Sequence, residues 1–212
     1  MCEIKQPNVE DQVESWLCYW GKLEQYDPVS IYVPQRDFLD DWFGQLGNRN
    51  LCHVISKAKT LNSLFSTRAS FDDLKKLANR IVQMEDFDKR LKDVNKDLVN
   101  EIAGGKGKKR GLYSLATKYC SFHYPEKYPI YDSNVDEALW HFEKNRRRKN
   151  PGCKKFNRRE LICYERFHEV MTDFKDGLNK EPKTEFSFRE IDKYLFLVGR
   201  RLKEEEKKRK QG

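Results

Sequence analysis

Residues Gly104–Val135, GGKGKKRGLYSLATKYCSFHYPEKYPIYDSNV, decide how this chain is read. They join a glycine–lysine turn to a run with helical period (Leu112, Leu115, Ala116, Tyr119). They end on Asp132, which follows Pro129 and precedes a second periodic run. Between Gly104 and Tyr124 stand five positive side chains, Lys106, Lys108, Lys109, Arg110 and Lys118, and no acidic one. Four glycines in the same span let the backbone approach a partner closely. Amides of such a turn with lysines beside them suit a phosphate. The order therefore predicts a phosphate grip with one carboxylate placed next to it.

Helical period extends outward on both sides. Leu91, Val94, Leu98 and Ile102 predict one helix, closed by Gly104 and Gly105. Before it, Ser70 and Asp73 open a helix bearing Leu74, Leu77, Ala78, Ile81 and Val82. Earlier stripes are Val13, Trp16, Leu17 and Trp20, then Phe38, Leu39, Trp42, Phe43 and Leu46 behind an Asp37 cap. After the decisive stretch, Asp132 caps a helix with Val135, Ala138, Leu139 and Phe142. Leu161, Tyr164, Phe167, His168 and Met171 mark another, and Ser187 with Glu190 opens a last one holding Ile191, Tyr194, Leu195 and Val198. The strand-like run is Val29–Val33, closed by Pro34; Glu181–Glu185 reads as a loop, and Lys203–Gly212 as a charged helix end or a disordered tail. The fold class expected is all-α.

Composition narrows the function. The charged fraction of 36% is balanced by 13% aromatic residues, enough to build a core in 212 residues. Nine basic residues and no acid lie between Lys144 and Arg159, including Arg146, Arg147 and Arg148. With the five above they make fourteen charges against a net charge of +8, leaving −6 for the remainder. Two basic segments on an acidic body predict a polyanionic partner, nucleic acid before any other. No segment approaches the roughly 20 apolar residues of a membrane span, and MCEIKQPNVEDQ has no apolar signal core, so a soluble, cytoplasmic protein without a membrane partner is expected. Six cysteines without a CxxC pair predict reduced thiols. Cys120 with His123 and Cys163 with His168 are the only metal-like spacings, and the second suits a helix poorly, so neither metal nor cofactor is expected. No Gly-x-Ser-x-Gly, Walker or His-Glu-x-x-His motif is present.

A helix ending in a glycine hairpin, a second helix, then a proline shortly before an aspartate at a helix start resembles the helix-hairpin-helix DNA glycosylase superfamily, particularly its oxoguanine glycosylase-like branch. YSLATKYCSFHYPEKYPIYDSNVDEAL together with FSFREIDKYLFLVGRRL is similar to a group of uncharacterised bacterial proteins assigned to that fold. The resemblance covers roughly residues 85–200. It implies a two-lobed helical fold with an N-terminal helical segment (1–84), a glycosylase-like core (85–202) and a charged tail (203–212).

The resemblance also implies a chemistry, base excision, in which a carboxylate at a helix N-terminus stabilises positive charge on the sugar or orients the nucleophile. Asp132 takes that place; by its position alone it is an N-cap. Bifunctional members use a lysine amine early in the second helix to form a Schiff base. Matching glycines points to Lys109, 23 residues before Asp132, whereas counting back about 18 residues reaches Ser114 and, one turn on, Lys118. Both lysines stand as alternatives, and without either the protein would be a monofunctional glycosylase using water, or a binding fold. Gly105, Lys106, Gly107, Lys108 and Arg110 would grip phosphate, joined by Arg146, Arg147 and Arg148. Lys106 sits where family hairpins carry an apolar residue. Tyr124, Tyr128, Tyr131 and Trp140 are the residues near enough to hold an extruded base, although aromatics at these intervals also suit a core. The reading is thus a DNA-binding protein of glycosylase type, with hydrolase or lyase chemistry in base excision repair. The alternative is a catalytically silent nucleic-acid-binding or interaction module.

Overall fold

The computed structural model describes residues 15–18, 39, 41–106, 110–149, 155–179 and 185–211. The expected strand at 29–33, the Asp37 cap, most of the loop at 181–185, Gly107, Lys108, Lys109 and the Arg110 side chain lie outside them. Every regular element among the described residues is helical. After short helical stretches at 15–18 and 41–45 come α1 (Leu51–Phe65), α2 (Phe71–Gln83), α3 (Phe87–Lys92), α4 (Lys96–Ala103), α5 (Arg110–His123) and α6 (Ser133–Lys149). A 3-10 turn (Arg158–Ile162), α7 (Tyr164–Leu178) and α8 (Phe188–Gln211) complete the chain. No described helix is long and apolar enough to cross a membrane.

Several boundaries follow from local chemistry. Ser70 and Asp73 form a reciprocal capping box at the start of α2, and Ser187 and Glu190 form another before α8. α4 ends on Gly104 at φ 93°, where the amides of Gly104 and Gly105 reach back to Glu101 and Asn100 carbonyls. The Arg80 guanidinium lies against Gly104 and donates to the Ile102 carbonyl, closing that end from outside.

One expected helix is two. The run Leu91–Ile102 breaks at Val94, which adopts φ 58°, a conformation costing a β-branched residue about 1–2 kcal/mol. Asn95 then caps α4 through the Leu98 amide. The break is held because the exposed carbonyls of α3 find donors elsewhere: the Tyr128 hydroxyl bonds Leu91 O at 3.0 Å and the Lys127 amine bonds Lys92 O at 2.9 Å.

α1 packs on α2 and α5, α2 on α4 and α5, and α4 on α5. α6 packs on α8, and α7 touches both α4 and α8. One buried apolar cluster runs through all of them, from Leu39 and Phe43 to Ile191 and Leu195. Helices on both sides of residue 84 therefore share a core. α6 and α8 approach closely at Gly199, where a Cβ atom would sit 1.9 Å from the Asn134 carbonyl oxygen. Gly199→Ala is expected to destabilise the protein by about 1–3 kcal/mol. Thermal unfolding followed by circular dichroism should show a Tm lower by roughly 2–10 °C.

Candidate functional site

The site forms where α5 meets the extended segment 129–132. Leu112, Leu115, Ala116 and Tyr119 bury one side of α5, and Ser114, Thr117 and Lys118, also buried, face that segment. Among the described residues the polar backbone groups of 129–131 have no backbone partner, so side chains supply partners, while the Asp132 carbonyl accepts from the Asp136 amide in the first turn of α6. Thr117 Oγ1 accepts from the Tyr131 amide at 3.1 Å, and Ser114 Oγ donates to Tyr131 O at 2.8 Å. The Tyr164 hydroxyl from α7 donates to Pro129 O at 3.3 Å, and Asp192 of α8 accepts from the Ile130 amide at 3.0 Å.

Lys118 is 3% exposed, and its amine donates to Ser114 Oγ at 2.7 Å. That is its one hydrogen bond among the described residues, and the Phe65 ring lies 5.7 Å from the nitrogen. Burial lowers its pKa below the ordinary lysine value, against the opposing pull of Asp132 and Asp192. Asp132 caps α6 as expected: Oδ1 accepts from the amides of Asn134 (2.7 Å) and Val135 (2.8 Å). Its Oδ2 has no hydrogen-bond partner among the described residues. Lys203, from α8, donates to Ser133 Oγ (2.8 Å) and Asn134 Oδ1 (2.7 Å), and burial lowers its pKa too. The structure thus brings together Lys118, Asp132, Asp192 and Lys203 around the start of α6.

The aromatic candidates divide. Tyr128 and Tyr131 are core residues: Tyr128 is fully buried and bonds the end of α3, and Tyr131 packs between Tyr113 and Phe167. In this conformation neither is open to a base, because packing claims both faces. Tyr124 and Trp140 are half-buried, with Lys127 5.3 Å from the Tyr124 ring and Arg147 5.1 Å from the Trp140 ring.

The basic residues divide as well. Lys106 pairs with Glu165 at 2.7 Å, joining the hairpin to α7. Burial opposes the Glu165 charge, but hydrogen bonds from Asp97, Cys163 and Lys106 outweigh it and hold the carboxyl well below the usual range. Arg146 and Arg147 both bind buried Glu143, at 2.6 and 2.8 Å. Arg158 binds Asp136 and Glu137, each at 2.6 Å. Lys144, Arg148, Lys149 and Arg159 are exposed and have no ion pair among the described residues. Glu143 lies one turn before the arginines it holds, just outside the acid-free run 144–159, and Asp136, Glu137 and Glu165 lie more than twenty residues from their partners, so the charge run alone did not reveal these pairs.

A second buried amine also escaped it. Lys57 is fully buried, donating to Phe43 O (3.1 Å), Leu46 O and Asn48 Oδ1 (3.2 Å), with His123 Nε2 at 3.3 Å. It closes the carbonyl end of the helical stretch 41–45. Burial brings its pKa down to about 8 despite Asp88, and burial together with Lys57 brings His123 down to about 3. Cys120 is buried, with its thiol pKa pushed up. Among the described residues no three His, Cys, Asp or Glu side chains come together to hold a metal.

The fold and site define an all-α protein with a buried amine set beside a helix-capping carboxylate. A family model for an N-terminal domain, HI_0787_N, matches residues 12–127, more than half the chain. An uncharacterised protein of Haemophilus influenzae is 34% identical over 173 residues, 81% of this chain and 75% of that protein. The chain belongs to this family. No solved structure matches it. The matched domain includes Lys118 and stops just before segment 129–132.

Lys57 makes stability pH-dependent. Its ammonium gives up a proton at about pH 8 in the folded chain and at 10.5 when unfolded. Between those values the unfolded state holds the extra proton, so the stability it contributes rises as pH climbs. Urea unfolding at pH 8 and pH 10 should show a rise of about 1–2 kcal/mol in the wild type relative to Lys57→Met.

Proposed function

We propose that this protein is a DNA-binding protein of glycosylase type, with the two-lobed fold of that class. It excises a damaged or modified base by cleaving the N-glycosidic bond. The observation that carries the reading is Lys118: a buried amine with a single hydrogen-bond partner among the described residues, its pKa lowered, near the carboxylate that caps α6. A neutral amine is the nucleophilic form, and burial favours it. Its lone pair attacks the anomeric carbon; the bond to the base breaks, and its electron pair leaves with the base, which takes up a proton. Asp132 Oδ2 accepts the proton shed by the amine and offsets the positive charge developing on the sugar. The exposed Lys144, Arg148, Lys149 and Arg159 give a surface for phosphates.

A second reading, a nucleic-acid-binding module without catalysis, is favoured by one observation. Lys118 is 3% exposed and Tyr128 and Tyr131 are closed into the core, so a base enters only if the site opens.

Labelled duplexes carrying 8-oxoguanine, uracil, an alkylated base or an abasic site, treated with borohydride, separate these readings. A covalent adduct is expected in the wild type and absent in Lys118→Ala. An adduct lost only in Lys109→Ala moves the nucleophile to the hairpin, and excision without an adduct points to water activated by Asp132. Salt-sensitive binding with no product supports the second reading. Asp132→Asn keeps the cap and removes the charge, so excision should fall by about 100-fold or more with duplex affinity unchanged. Replacing Lys144, Arg148 and Lys149 together by alanine should reduce the slope of log K against log salt by about 2–3.

A further inference from the structure

The chain that resembles a hairpin–helix unit does not build the site alone. Asp192 lies on α8, sixty residues beyond Asp132, and is 9% exposed. Its Oδ2 accepts from the Ile130 amide at 3.0 Å, the residue before Tyr131, whose carbonyl holds Ser114, which in turn holds Lys118. We propose that Asp192 is a positioning residue: it fixes segment 130–132 from α8 and supplies the second carboxylate of the Lys118 environment. The inference rests on Lys118 being the reactive amine.

The charged groups facing Lys118 come from two elements. Asp132 at the start of α6 and Asp192 on α8 both favour its protonated form. Lys203, also on α8, sits nearer Asp132, whose charge acts on it as well. From its own helix Lys118 meets the uncharged Ser114, and from α1 the ring of Phe65. Asp192 therefore has two separable effects. Its oxygen sets where Asp132 and Lys118 stand, and its charge opposes the loss of the amine proton that burial favours.

Carbon-detected NMR on the full chain measures this without any DNA substrate. Lys118 Cε and Asp192 Cγ are followed from pH 5 to 11, with Lys118→Arg assigning the amine. In the wild type the Asp192 signal should inflect at the Lys118 midpoint, because the two charges interact. In Asp192→Asn, which keeps an oxygen for the Ile130 amide, the Lys118 midpoint should fall by about one pH unit. Asp192→Glu, which keeps the charge, should leave it near the wild-type value. An Asp192 signal flat through the Lys118 transition overturns the proposal, with or without a folded variant. So does an Asp192→Asn midpoint equal to the wild type. Neither result depends on excision, whose failure would be seen separately in the borohydride assay.

Discussion

Segment 129–132 is the constraint on which the rest turns. Up to Tyr131 its backbone has no strand or helix partner among the described residues, and a buried amide or carbonyl left unpaired costs about 1–3 kcal/mol. Three helices answer that demand with side chains: Ser114 and Thr117 from α5, Tyr164 from α7, Asp192 from α8. Each bond is local, but together they fix where α6 begins and hence where its capping carboxylate stands. The same hydroxyl that bonds Tyr131, Ser114 Oγ, also accepts from Lys118. Support for the backbone and placement of the amine are therefore one network.

Two buried lysines show how partner number separates roles. The Lys57 amine meets three carbonyl or amide oxygens and an imidazole nitrogen, which use all its donors and make it a brace for the helical stretch before α1. Lys118 is equally enclosed but has one acceptor among the described residues. An ammonium with donors left over is the costlier form in a dry site, so burial favours the neutral amine there. The functional proposal rests on that difference and on the carboxylates nearby.

The basic segments are less free than their composition implies. Buried Glu143 holds Arg146 and Arg147, Asp136 and Glu137 hold Arg158, and Glu165 holds Lys106. These pairs tie α6 to the segment after it and the hairpin to α7. Among the described residues of these segments, Lys144, Arg148, Lys149 and Arg159 remain exposed for a polyanion. Charge counted along a chain overstates charge offered to a partner wherever acids lie beneath it.

Much of the architecture was legible in the residues themselves. Capping boxes at Ser70 and Ser187, the glycine end of α4 and the Asp132 cap depend on neighbours within four positions, and apolar period marks helices at the same range. The break at Val94 was not legible, because it depends on Tyr128 and Lys127 supplying donors to α3 from more than thirty residues away. Nor were the roles of Tyr128, Glu143, Lys57 or Asp192, each defined by a partner on another element or by burial. In this protein the sequence by itself determined the all-α class, most helix limits and the position of one capping carboxylate, since those are short-range matters of backbone satisfaction and period. Only the tertiary structure decided which lysine is buried beside that carboxylate, which arginines are neutralised and which aromatics are core. Those outcomes depend on desolvation and charge pairing between segments that meet only when the chain packs.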